Sequence, residues 1–159
     1  MQQASIHAAL KKLEYGIYVV STRVGHETSA FVASWLSQVS FEPPMVMIAI
    51  HKDHFSGHLI KGGDFFTVNI IGKDQKNMLS RFLAPSKMGV DKFESLPQLK
   101  GETGVPIMGD CVAYLECQVE TSLLSGDHNI FVGHVLAGKC LRDGETLTTK
   151  DTPVRYNKP

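Results

Sequence analysis

The chain has 159 residues, 43% hydrophobic and 20% charged, which suits one soluble domain, 1–159, with a single sizeable core. Its 16 Lys plus Arg balance 16 Asp plus Glu, so it lacks the basic surplus that nucleic-acid binding requires. No apolar run approaches bilayer length, and Met1-Gln2-Gln3-Ala4-Ser5 lacks the pattern of a secretory signal. With three cysteines and no Cys-x-x-Cys spacing, this predicts a cytoplasmic protein with reduced thiols.

Ile6, Leu10 and Leu13 recur at helical spacing, which predicts a short amphipathic helix over 3–14. Ile17 to Thr22 is β-branched and aromatic and predicts a strand. Gly25 marks a turn into a second strand over about 28–36, closed by Pro43-Pro44. Met45 to Ile50 is apolar throughout, which predicts a strand buried on both faces. His54 to Lys61 reads as a helix capped by Asp53 and stopped by Gly62-Gly63. Phe65 to Ile71 is a further strand. Asp74 is placed to cap a helix whose Met78, Leu79, Phe82 and Leu83 form one apolar stripe. Residues 85–110 carry three prolines and four glycines and read as a long connection of the kind that is usually functional or mobile. Strands at about 111–123 and 129–141 pair as a hairpin through Ser125-Gly126-Asp127, and polar Asp151–Pro159 reads as loosely attached. The many strands and few helices predict a mainly β domain, a barrel with helical additions.

Several residues ask for a role. Ser34, Ser37, Gln38 and Ser40 crowd a β-prone run with hydroxyl and amide groups suited to a polar ligand. Asn69 lies in the apolar run Val68-Asn69-Ile70, where a buried amide without partners costs about 1–3 kcal/mol. It either pins a neighbouring loop or touches a ligand. His54 and His58 share a helical face, but no Glu follows His54, and no metal site is expected. Cys117 and Cys140 fall in apolar strands and read as inert core thiols.

Three separated motifs carry a resemblance. They are Ala33-Ser34-Trp35-Leu36-Ser37-Gln38 running into Pro43-Pro44, Phe66-Thr67-Val68-Asn69-Ile70 followed by Gln75 and Phe82, and Leu115-Glu116-Cys117 followed by Gly126-Asp127-His128-Asn129-Ile130 and Gly133. Together, from about Leu10 to Tyr156, they resemble the flavin reductase-like family of FMN-binding split β-barrels. The Ser-Trp-Leu variant at Ser34-Trp35-Leu36 is most similar to modules attached to flavodiiron proteins and rubredoxin-linked reductases. The resemblance implies a homodimer with one FMN per subunit. NADH or NADPH delivers hydride to the flavin, and electrons leave to free flavin or to an electron-carrier protein. No Gly-x-Gly-x-x-Gly follows a strand, so the nicotinamide would share the flavin groove.

On that resemblance, Val32, Ala33, Ser34, Trp35, Leu36, Gln38 and Val39 are expected to hold the flavin ring and ribityl chain. Lys52 and Ser56 would meet the phosphate, and Asn69 is a further candidate contact. His128 would face the nicotinamide as the catalytic imidazole, with Asp127 fixing the turn. An electron-transfer module with little direct NAD(P)H activity is the alternative.

Overall fold

The computed structural model describes residues 2–153. Seven antiparallel strands form one sheet in the order β2-β1-β5-β8-β9-β4-β3, where β1 is Tyr18–Val24, β2 Glu27–Ala33, β3 Leu36–Ser40, β4 Met45–His51, β5 Phe65–Ile70, β8 Ala113–Ser125 and β9 His128–Cys140. A small ladder of β6 (Gln98–Leu99) and β7 (Ile107–Met108) interrupts the long connection. Helix α1 spans Gln2–Leu10, α2 Phe55–Gly63, and a 3-10 turn over Lys73–Met78 runs into α3 at Leu79–Leu83.

The two edges of this sheet, β2 and β3, are consecutive in the chain and joined only by Ser34 and Trp35. A seven-stranded sheet whose opposite edges are two residues apart must curl upon itself. The core agrees: Phe31 of β2, Ile48 of β4, Phe66 of β5 and Phe131 of β9 pack in one buried cluster. Gly133 makes room for it, since a Cβ there would lie 2.7 Å from the Phe66 ring. A second cluster forms on the outer face, where Val19 and Val32 meet Leu79, Phe82 and Phe93.

Several local expectations are corrected. The run expected as one strand over 28–36 divides at Ser34-Trp35. The β4 run buries only Val46, Ile48 and Ile50, leaving Met45, Met47 and Ala49 half-exposed, because only one face of β4 joins a buried cluster. A helix forms at this end, but it stops at Leu10, leaves Leu13 outside and buries no residue, so the expected apolar face over 3–14 is not formed. Helix α2 runs through Gly62 and Gly63 and ends at Asp64 in the left-handed region. Gly63 is there for proximity: a Cβ would stand 2.4 Å from the Arg23 carbonyl oxygen.

The helix caps differ too. His54, not Asp53, caps α2, its Nδ1 accepting the Ser56 N–H at 3.2 Å. Asp74 caps nothing and instead pairs with Arg142 at 3.0 Å. The 72–75 turn is held by Gln75, whose Oε1 accepts the Gly72 N–H and whose Nε2 reaches the Asp110 carbonyl.

The long connection is tied down rather than loose. Lys92, 7% exposed, donates from Nζ to the carbonyls of Ala30, Phe82 and Ala84 and to Ser86 Oγ. Buried Glu116 accepts the N–H groups of Glu102 and Thr103 and the Thr103 hydroxyl. Asp151 is also attached, accepting Thr148 N–H and Oγ1 at 2.9 Å each. The remainder of the expected loose end, residues 154–159, lies outside the described residues.

Candidate functional site

The β2–β3 link meets the β8–β9 hairpin tip at a cluster of rings. Antiparallel register sets His51, last in β4, opposite His128, first in β9, and their rings meet edge to face at 5.3 Å between centroids. The Trp35 ring lies 4.6 Å from His128, and Tyr15 lies 6.5 Å beyond Trp35. Trp35 is 38% exposed, so one side of this stack faces solvent. The hairpin tip is fastened by the Lys52 N–H donating to the Asp127 carbonyl at 2.9 Å.

Asp127 does more than fix the turn. Its Oδ1 stands 2.6 Å from His128 Nδ1, and that bond holds the Asp127 carboxyl below its ordinary range. A carboxylate only accepts, so the proton of this bond sits on Nδ1. His128 is therefore held by a carboxylate at one nitrogen and flanked by the Trp35 and His51 rings.

The structure gathers some expected site residues and turns others away. Trp35 and His128 meet at the hairpin tip, which Lys52 reaches through its backbone N–H. Leu36, Gln38 and Val39 lie on the edge strand β3, with Gln38 Nε2 donating to the Ser40 carbonyl and the ladder register shifting between Gln38 and Ser40. Val32 and Ala33 bury their side chains in the two separate cores, so only their backbone can serve a ligand. Ser34 is buried at the link.

The Ser56 hydroxyl is turned inward: the residue is wholly buried, and Oγ is shared with Ser29 Oγ at 2.8 Å. The α2 start turns this side chain into the core, as the burial of Gly57 and Ile60 on the same helix shows. Asn69 is likewise engaged inside the protein. Its Nδ2 donates to the Val19 carbonyl and Ser21 Oγ, its Oδ1 accepts the Met108 N–H at 2.8 Å, and the residue is fully buried. It pins the β7 segment to the sheet and has no exposed atom to offer.

His54 lies against Phe31, and burial, Lys92 and His51 together push its pKa below the ordinary histidine value. Cys111 and Cys117 are buried, which pushes their thiols up to about 11 and about 12. Cys140, expected in the core, is exposed because it ends β9 beyond the buried part of the sheet.

Sequence reasoning passed over His51 and Tyr15 as members of the ring cluster. The β4–β9 pairing that sets His51 beside His128 follows from topology, and Tyr15 carried no pattern of its own. Two shallow cavities of about 370 and 320 Å³ lie elsewhere, sharing Arg23, Gly104 and Val105. Arg23 there is already engaged by the carbonyls of Gly25 and Gly104, so the ring cluster is the better chemical candidate.

The donor set at the cluster suits a planar heteroaromatic group with an anionic tail. It offers a half-exposed indole, an oriented imidazole and the edge strand β3 with its polar side chains, with Lys52 adjoining through its backbone N–H.

Residues 10–156 match the flavin reductase like domain. The chain belongs to that family. It is 36% identical over 146 residues to a putative diflavin flavoprotein A 3 of Nostoc sp., covering 91% of this chain and 25% of that protein. The chain thus spans about a quarter of the length of the curated relatives it matches. Among solved structures, the Streptomyces globisporus NADH:FAD oxidoreductase SgcE6 superposes with a TM-score of 0.83 at 26% identity, covering 92% of this chain and 87% of that one. Flavin reductase PheA2 gives 0.79 at 25% identity, with 93% of each chain covered. The chain is thus a flavin reductase-like domain, mainly β with a few helices. No described helix is long and apolar enough to cross a membrane.

Proposed function

We propose that this chain is an FMN-binding split barrel that acts as a homodimer, passing electrons from NADH or NADPH through the bound flavin to free flavin or to an electron-carrier protein. The observation that carries this reading is the Trp35–His128–Asp127 arrangement at the junction of the two sheet edges. When bound, a flavin would supply the redox chemistry, taking up a hydride equivalent and passing electrons on. This chain's residues do the rest. The backbone of Val32 to Leu36 and of Gln38 and Val39 lines the ring and ribityl side, and Lys52 neutralises phosphate charge at the tip. His128 orients the nicotinamide.

Support for a second copy comes from Val39 and Phe41 on and beside β3, since Phe41 is 89% exposed. A cytoplasmic setting suits three unpaired thiols. SgcE6 is described in complex with NAD and FAD fragments, which favours a nicotinamide site in this fold. Mixing FMN-loaded protein anaerobically with NADH or NADPH and following flavin absorbance tests the reading. Bleaching within minutes is expected. A colourless protein that takes up no added FMN would sink it.

One observation favours a second reading. The Trp35 ring lies against His128 at 4.6 Å, and this chain covers only 25% of the diflavin flavoprotein it matches. On this reading the chain holds FMN but exchanges electrons with a protein carrier and reacts poorly with nicotinamides. FMN binding without bleaching selects it.

A further inference from the structure

We propose that the groove at Arg23 is a second ligand site, built for a phosphorylated small molecule with a flat, uncharged body. It stands independently of the flavin reading above.

Arg23 is exposed, so burial does not explain why its guanidinium is fixed. Its Nε donates to the Gly25 carbonyl at 2.9 Å and its Nη1 to the Gly104 carbonyl at 3.2 Å. Both glycines hold left-handed backbone, with φ of +57° and +76°. Neither is there for space, since a Cβ at either position would meet nothing within 4 Å. Two left-handed turns thus aim their carbonyls at one surface arginine. A guanidinium has about five N–H donors, so most of them remain unspent. An arginine held in advance loses little freedom when it takes up an anion.

Two cavities, of about 370 and 320 Å³, share Arg23, Gly104 and Val105 as a common wall. The smaller adds Lys100, which is exposed and, like Arg23, has no ion pair among the described residues. No carboxylate lines either cavity. Glu116 of β8 stands behind Gly101, but its oxygens are engaged by the Glu102 and Thr103 N–H groups and the Thr103 hydroxyl. A phosphate has enough terminal oxygens to use Arg23 and Lys100 together. The larger cavity is different: the end of α2 at Gly62 and Gly63 borders it, and last-turn carbonyls disfavour an anion. Its Val24 and Phe65 walls suit the uncharged body of the ligand.

The loop side of the groove is preformed. Ser21 Oγ donates to the Pro106 carbonyl at 2.6 Å, and Asn69 Oδ1 accepts the Met108 N–H at 2.8 Å, both from buried side chains. The groove is also remote from the ring cluster. Gly25 precedes β2 and Trp35 follows it, so the whole strand Glu27–Ala33 separates them, about 20 Å of extended chain.

The test titrates the ¹⁵N-labelled full chain with adenosine 5′-monophosphate and with adenosine, with and without saturating FMN, and follows backbone amide shifts. The monophosphate is expected to give saturable shifts at Gly25, Gly63, Gly104 and Val105 whether or not FMN is present. Adenosine, which lacks the anion, should bind about tenfold more weakly or worse. Lys100→Ala should weaken the monophosphate about tenfold and leave the urea midpoint unaltered, because Lys100 is exposed and unpaired. Arg23→Gln should abolish binding; it also cuts the tie between Gly25 and Gly104, so Lys100→Ala decides if that variant is unstable. Absence of shifts at about 10 mM monophosphate overturns the site and leaves Arg23 as a tie between two turns only. Shifts confined to 52–56 and 126–128 overturn it as well, as does equal affinity for adenosine or in Lys100→Ala.

Discussion

Replacing Asn69 by alanine separates a structural pin from a flavin ligand. Asn69 makes three bonds: to the Val19 carbonyl at 3.0 Å, to Ser21 Oγ at 3.3 Å and from the Met108 N–H at 2.8 Å. Truncation strands the Met108 N–H in a fully buried place, which costs about 1–3 kcal/mol. The carbonyl and hydroxyl suffer less, because Ser21 Oγ keeps its own donation to the Pro106 carbonyl at 2.6 Å. A total of about 2–3 kcal/mol corresponds to a fall in Tm of roughly 4–12 °C for a chain of this size. Thermal and urea unfolding should be followed with and without FMN, alongside amide exchange at Ile107 and Met108. The expected result is lower stability, faster exchange at those amides, and an FMN dissociation constant within about threefold of wild type. A loss below about 0.5 kcal/mol together with a large drop in FMN affinity would refute the argument and return Asn69 to the site.

Three further outcomes follow from the geometry. Lys52→Ala should weaken FMN binding about tenfold through the lost phosphate pairing while leaving riboflavin binding unaltered, read by fluorescence titration of both ligands. Gly63→Ala should destabilise the fold by about 1–3 kcal/mol in urea unfolding, because the clash with the Arg23 carbonyl outweighs the helix propensity gained. His54 is held neutral by burial and by neighbouring Lys92 and His51, so the folded protein binds its proton less readily than the unfolded chain. Its stabilising contribution is complete above about pH 6.5 and is lost as pH falls through the lowered value; His54→Asn, which keeps an N-cap acceptor, should flatten that part of a stability-versus-pH curve.

The strands were legible because their signal is local. Alternation and β-branched residues mark β1 and β5, and Gly126-Asp127 between two long β-prone runs marks the hairpin. Ser34-Trp35 was harder, since a run of β-prone residues gives no hint that the chain leaves one sheet edge and starts the other. The same limit applies to the caps. Asp53 and Asp74 are good capping residues by type, but His54 and Gln75 hold the positions from which a side chain reaches the free N–H. Ser56 and Asn69 are polar residues whose partners, Ser29, Val19 and Met108, lie 27 to 50 residues away. Only tertiary packing reveals that their polarity is spent inside the protein.

That distinction also separates scaffold from site. Asn69, Gln75, Lys92 and Glu116 each reach across the sequence to hold part of the 72–110 connection, and among the described residues only Thr67 Oγ1 is buried without a partner. These bonds are buried and saturated, so they fix the connection and leave no atom for a ligand. The ring cluster is built the other way. Its members come from the β2–β3 link, the end of β4 and the hairpin tip, and ring contacts and one exposed carboxylate hold them. Trp35 and His128 therefore keep solvent-facing surface that the scaffold residues lack. This places the functional bet on Trp35, Asp127 and His128 rather than on the more deeply buried polar residues of the same motifs.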